Sequence, residues 1–235
     1  ACTMANFMAK RACDQAAMSV AYNGFNVKLV GCYAGLTQEK NGGTHVSIID
    51  IGVMRSLPRM TVIVPGDGEE VRQAVRAAAQ HEGPVYLRMP KLLQADILGK
   101  DHRFEIGRSY RYGDGRDLTI VSCGLATEIA LDSLEALAAE GIDARVLHMP
   151  TIKPFDTEAL VENVRETGRC LTVENHSTSS GLGGLVAETL SQHHPVPLSR
   201  IGIEDEFGLT AGLDFQLGHF GISVENIVTR AKSLM

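Results

Sequence analysis

Tryptophan is absent, aromatic residues make up only 5% of the 235 residues, and the five cysteines show no CxxC spacing. An odd number of unpaired thiols argues against a disulfide framework and offers no zinc-ligand pattern. Cys2, Cys13, Cys32, Cys123 and Cys170 therefore read as small buried hydrophobes in a reducing, cytoplasmic setting. No apolar run approaches the ~20 residues that cross a bilayer, and no basic stretch leads into an apolar leader. Positive charge is also short. The 22 Lys and Arg against 28 Asp and Glu leave a net charge of −6, which argues against a nucleic-acid partner. Apolar residues are plentiful, at 44% with 21% charged. That is enough to fill the core of one large or two small domains and to exclude disorder.

Apolar runs alternate with amphipathic stretches along the chain. Helices are expected over 8–22, 46–57 and 66–82, and strands over 27–33, 61–65 and 85–89. The alternation breaks over 92–116, where glycines and scattered charges suggest a linker with a short hairpin. It resumes with strands over 118–124, 144–150, 169–175 and 198–203. The matching helices fall over 126–141, capped by Gly141, over 156–168, capped by Asp156 or Thr157, and over 181–193 and 223–235. Strand–helix alternation predicts an α/β chain with two domains, each a mostly parallel sheet with helices on both faces. The boundaries expected are residues 1–95, a linker at 96–115, and 116–235.

Ligands of parallel sheets sit beyond the carboxyl ends of the strands. Loops at that edge of the first domain offer Tyr33, Asn41, His45, Asp67, Arg88 and Lys91. A neutral histidine beside a tyrosine and cations suits an anionic or carbonyl substrate, although ordinary loop polarity explains the same residues. In the second domain, Glu174-Asn175-His176 precedes Gly181-Leu182-Gly183-Gly184. This glycine turn is a poor dinucleotide fingerprint, so a structural or interface role is favoured over nucleotide binding. His193-His194 reads as a solvated helix end.

The stretch GGTHVSIIDIGVMRSLPRMTVIVPGDGEEVRQAV (42–75), continued by GPVYLR (83–88), VENHSTSSGLGGLVAETL (173–190) and FGISVENIV (220–228), resembles the transketolase family over essentially the whole chain. The resemblance implies a pyrimidine-binding domain followed by a transketolase C-terminal domain, with the diphosphate-binding domain missing. The chain would then be the C-terminal subunit of a split, thiamine-diphosphate-dependent transketolase. An N-terminal partner subunit would supply the Mg²⁺ ligands, and an α2β2 heterotetramer would transfer a two-carbon ketol unit from a sugar or sugar phosphate to an aldehyde. Phe7 matches the ring that stacks on the aminopyrimidine. His45 matches the catalytic histidine of Gly-x-Thr-His, which faces the reacting carbonyl. Three positions depart from the family. Tyr33 stands for a histidine, Asn41 for an aspartate that reads a sugar hydroxyl, and Lys91 for a phosphate-binding arginine. These departures imply an altered substrate, less phosphorylated or differently functionalised. The family's essential glutamate would lie upstream of the Phe7 helix, and missing sequence is the expected reason for its absence. Related readings are a deoxyxylulose-phosphate-synthase-like or 2-oxoacid dehydrogenase β-like enzyme. A different class is a non-catalytic assembly or binding subunit, and a nucleotide-binding module comes third.

Overall fold

The computed structural model describes residues 1–91 and 96–235. The apolar runs form two five-stranded sheets. The first contains β1 (Cys2–Met4), β2 (Lys28–Cys32), β3 (Thr61–Ile63), β4 (Val85–Arg88) and β8 (Thr151–Lys153), in the order β1-β2-β4-β3-β8. The second contains β5 (Tyr110–Tyr112), β6 (Leu118–Ser122), β7 (Ala144–His148), β9 (Cys170–Ser177) and β10 (Leu198–Ile203), in the order β10-β9-β6-β7-β5. Pairing is parallel throughout except at β8 and β5, the antiparallel edges. The helices are α1 (Asp50–Ser56), α2 (Gly68–Gln80), α3 (Ala126–Ala139), α4 (Thr157–Thr167), α5 (Leu182–His193), α6 (Leu213–His219) and α7 (Val224–Lys232).

Local chemistry sets the helix ends. Asp67 caps α2 by accepting the Glu70 N–H at 2.8 Å, and Glu69 and Glu70 place negative charge in its first turn. Asp156 caps α4 through the Ala159 N–H at 3.2 Å, and Gly141 follows α3 with φ +76°.

Four elements differ from the pattern reading. The helix expected over 8–22 is two π-helical segments, Phe7–Arg11 and Gln15–Ala21. Their defining bonds run over five residues, from Ala12 N–H to Phe7 O and from Tyr22 N–H to Ala17 O. Wide turns of this kind recur at functional sites. The helix expected over 46–57 begins only at Asp50, because Val46 and Ile48 are drawn into the core ahead of it. The linker holds no internal hairpin among the described residues. β5 instead pairs antiparallel with β7, and residues 92–95 lie outside the described residues. β8 leaves the second half of the chain to close the first sheet beside β3.

One apolar cluster runs through both sheets. It joins Met8, Ala16, Ile51, Met54 and Val62 with Val121, Leu147, Leu160, Leu182 and Val186. A buried polar chain crosses the same junction. Glu70 lies 2.8 Å from His102 Nε2 and 2.9 Å from His148 Nε2, and it accepts the Gly66 N–H at 2.6 Å. Burial alone would raise its pKa, but the facing His148, the hydrogen bonds from both histidines and the Gly66 N–H bring it down to about 2. The two halves of the chain are therefore held in register by both packing and charge.

Candidate active site

The site grows from three chain segments at the carboxyl edge of the first sheet. β1 runs directly into the first π-helical segment, whose opening residue is Phe7. β2 ends at Cys32 and is followed by Tyr33, a non-glycine residue held at φ +56° and 38% exposed. The turn at Leu36–Asn41 leads through Gly42-Gly43-Thr44 to His45.

Phe7 and His45 meet in an edge-to-face contact, with ring centroids 5.0 Å apart and planes at 60°. Both are half-buried. The Arg11 guanidinium also lies over the Phe7 ring, 4.2 Å from its centroid. The Thr44 hydroxyl lies 2.8 Å from His45 Nδ1. With that hydroxyl donating to Nδ1, the imidazole carries its proton on Nε2 and can donate it to an oxygen in the cleft. Beneath them Asn6 donates to Thr44 O at 2.5 Å, while its own Oδ1 is buried with no partner. A buried acceptor without a donor is costly, and Asn6 immediately precedes Phe7 in the chain. The pair suits a flat heterocycle carrying an amino group.

Asn41 is exposed at the end of its turn, on the same loop as His45. Lys91 is placed differently from a free cation. Its Nζ lies 2.7 Å from Glu39 Oε2, its backbone N–H donates to Thr37 Oγ1 at 3.1 Å, and its hydrogen bond holds the Glu39 carboxyl below the usual range. Two further candidates are structural. Asp67 is the α2 cap, and Arg88 is buried against Asp50, with Nε to Oδ2 at 2.8 Å. Both lie at the expected sheet edge, but their charges are consumed inside the protein.

Three neighbours of the site were not singled out by pattern reading. Lys10 and Arg11 sit on the π-helical segment, and Phe207 comes from the second domain. Phe207 is 73% exposed, with Lys10 Nζ 5.7 Å from its ring centroid. The paired glycines explain how Phe207 gets there. A Cβ on Gly42, at φ +68°, would stand 2.5 Å from Thr210 Oγ1, and one on Gly43 would stand 3.2 Å from Phe207 Cβ. The loop preceding His45 is thus pressed against the 207–210 loop of the other domain. Cation–aromatic contacts carry no sequence spacing that would have announced them.

The glycine turn of the second domain proves to be an internal cap. Glu174 Oε2 accepts the Leu182 N–H at 2.7 Å and Oε1 accepts the Gly183 N–H at 2.8 Å. A carboxylate of the chain itself occupies the place a phosphate would take at the start of α5. Nearby, His176 Nε2 accepts the Ile51 N–H at 3.1 Å and Nδ1 faces Ser177 O at 3.0 Å, which fixes a neutral ring protonated on Nδ1.

Burial pushes Glu174 up to about 7 and His176 down to about 4, from ordinary values of 4.5 and 6.5. Between those limits the folded pair holds one proton on Glu174. The unfolded pair also holds one, on His176. A raised carboxylate pKa loses stability as pH rises towards 7, whereas a lowered histidine pKa loses stability as pH falls towards 4. The two trends cancel. Glu174→Gln should therefore expose a stability that rises by about 3 kcal/mol from pH 4 to 6.5. His176→Gln should expose a fall of similar size from pH 4.5 to 7. Urea titrations across this range check both; slopes of the same sign in the two variants contradict the compensation.

Among the described residues no group of three or more His, Cys, Asp or Glu could hold a metal ion. No helix is long and apolar enough to cross a membrane among those residues.

Comparison with known proteins agrees along the whole chain. Residues 1–95 match the profile of the transketolase pyrimidine binding domain, and residues 107–227 match that of the transketolase C-terminal domain. The chain is 41% identical over 225 residues to the 6-deoxy-6-sulfo-D-fructose transketolase subunit SqwH of Clostridium sp. (strain MSTE9), covering 96% of this chain and 70% of that one. It is 37% identical to an apulose-4-phosphate transketolase subunit of Phocaeicola vulgatus, over 98% of this chain and 74% of that one. A solved structure described as a split gene transketolase, inactive beta4 tetramer, superposes with TM-score 0.90 at 39% identity, covering 99% of this chain and 74% of the other.

Proposed function

Because the chain belongs to the transketolase family, we propose that it is the C-terminal subunit of a split transketolase, carrying the pyrimidine-facing wall of a thiamine diphosphate site. The observation that carries this reading is the contact of Phe7 with His45, beside the unpartnered Asn6 Oδ1. Phe7 would stack on the aminopyrimidine, and Asn6 Oδ1 would accept from its amino group. Thiamine diphosphate, when bound, supplies the carbanion chemistry of ketol transfer. The chain's own contribution is positional and electrostatic. His45 holds a proton on Nε2 at the edge of the Phe7 ring, where it can donate to an oxygen that gains charge. Tyr33 and Asn41 flank the path of the sugar, with Lys91 and Glu39 as an ion pair at the same edge.

Mg²⁺ and the diphosphate would be held by an N-terminal partner subunit. The names of the relatives support this: both the sulfofructose and the apulose-4-phosphate enzymes are named as transketolase subunits, and the solved neighbour is called a split gene transketolase. Two copies of each chain would form the working α2β2 assembly, and the five free thiols suit a reducing cytoplasm. The substrates named for the relatives, a sulfosugar and a sugar phosphate, support a ketose donor with an anionic end.

The test is co-expression of the full-length chain with a candidate diphosphate-binding subunit, followed by assay with thiamine diphosphate and Mg²⁺. Ketol transfer should require both subunits. Transfer by this chain alone, or an assembled pair that binds the cofactor and transfers nothing from any ketose, overturns the reading.

A further inference from the structure

We propose that Arg11, with Lys10 beside it, forms a specificity site for a tetrahedral oxyanion, the phosphate or sulfonate end of the donor. This rests on the ketol-transfer reading for its substrate, and on the geometry of the chain for its location.

The chain carries a net charge of −6, yet its site edge gathers cations. Lys91, the cation expected to read a phosphate, is already paired with Glu39 at 2.7 Å. An anion placed there must compete with a carboxylate for the same ammonium. Lys10 and Arg11 are different. Neither has a carboxylate partner among the described residues; their contacts are the Phe207 and Phe7 rings. The Arg11 guanidinium lies over the Phe7 ring, 4.2 Å from its centroid, and a guanidinium that packs flat on such a face keeps its N–H donors in its own plane, pointing outward. Stacking thus orients the fork that oxyanions accept in bidentate fashion, and it lowers the entropy lost on binding. Burial, and to a lesser degree repulsion from the adjacent Arg11, push the Lys10 pKa down. An anion relieves that repulsion.

Arg11 stands 4.2 Å from the centre of the Phe7 ring, and His45 stands 5.0 Å from it. The guanidinium is therefore no more than about 9 Å from the catalytic imidazole, within the span of a ketose of four to six carbons. Phe207 completes the wall, with Lys10 Nζ 5.7 Å from its ring centroid. The site thus draws on both domains.

The experiment compares fructose 6-phosphate, 6-deoxy-6-sulfofructose and fructose as donors for the assembled two-subunit enzyme. The readout is the ratio of kcat/KM for each anionic donor to that for fructose. Arg11→Met should lower that ratio about 10- to 100-fold, the worth of a charge-assisted bidentate contact. Arg11→Lys should restore part of it, chiefly through KM, and Lys10→Gln should give a smaller loss. A purely structural role lowers all three donors together and leaves the ratio unchanged, which overturns the proposal. Phosphate against sulfonate is resolved by pH. The phosphate ratio should fall between pH 7.5 and 5.5 as the dianion takes up a proton and becomes a monoanion, while the sulfonate ratio stays level.

A second arm is independent of turnover. Inorganic phosphate should raise the thermal midpoint of the wild-type enzyme saturably, and Arg11→Met should lose that rise. If no donor is turned over, the functional reading falls, and this titration alone decides the site. Equal stabilisation of wild type and variant overturns it.

Discussion

Replacing His45 with alanine should lower kcat/KM for ketol transfer by about 10²- to 10⁴-fold while changing stability by no more than about 0.5 kcal/mol. The separation of the two effects is the point of the experiment. His45 is half-buried, it makes one edge-to-face contact with Phe7, and its Nδ1 is satisfied by the Thr44 hydroxyl at 2.8 Å. Nothing in the core depends on it. With Thr44 donating to Nδ1, Nε2 would carry the proton beside the ring proposed to hold the cofactor, and alanine removes that donor. Thr44→Val offers a finer test. It removes the hydroxyl that faces Nδ1 and keeps the imidazole, so a loss of about 10-fold is expected. Steady-state kinetics of the assembled enzyme, paired with urea denaturation, measure both quantities. A loss below about 10-fold for the alanine variant would remove His45 from the chemistry.

How much of this could be read from the sequence follows from the range of each interaction. Parallel strands announce themselves, because both faces are buried and the residues run apolar without a break, as in Thr61–Ile63 and Leu118–Ser122. Caps are equally local. Asp156 sits three residues before the N–H it accepts, and Gly141 follows its own helix. The two-domain α/β organisation was legible for these reasons. Phe7 was singled out only through resemblance, whereas His45 was also offered by its loop at the sheet edge; 38 positions separate the two and no periodicity links them. What sequence reading could not reach was how the charged groups at the sheet edge are already spent inside the protein. Arg88 and Asp67 look like free charges at a sheet edge, but Arg88 is spent on Asp50 and Asp67 on a backbone N–H. Lys91, expected at a phosphate-binding position, lies beside Glu39, a partner that no spacing announced. Edge strand β8 was missed because Thr151–Lys153 is too short to carry an alternation and takes its partner from the other half of the chain. The π-helical turns were missed because Ala-rich sequence suits either helix type locally.

The buried Arg88–Asp50 pair supports the second large effect. Arg88→Met should destabilise the chain by about 3–5 kcal/mol, because it leaves Asp50 charged and fully buried. In the intact protein Arg88 Nε bonds Asp50 Oδ2 at 2.8 Å, and Tyr86 donates to the same oxygen at 2.8 Å. Arg88 Nη2 reaches Asn175 O at 3.0 Å and Ser47 O at 3.4 Å. Burial alone would raise the Asp50 carboxyl, but Arg88, His176 and Tyr86 hold it below its ordinary value. Without the guanidinium that balance reverses and the folded pKa of Asp50 rises. The penalty should then be largest at neutral pH and shrink as pH falls and the carboxyl takes up a proton. Arg88→Met combined with Asp50→Asn removes the charge, keeps an acceptor for Tyr86, and should recover all but about 1–2 kcal/mol, the remainder reflecting the bare carbonyls of Asn175 and Ser47. Ser47 lies two residues beyond His45, so the single variant should also lose activity at temperatures where it is fully folded. Denaturation at pH 5 and 8, with kinetics below the transition, separates the effects. A loss under about 1 kcal/mol at pH 8 would mean that water, not Arg88, solvates Asp50, and that the loop bearing His45 is anchored elsewhere.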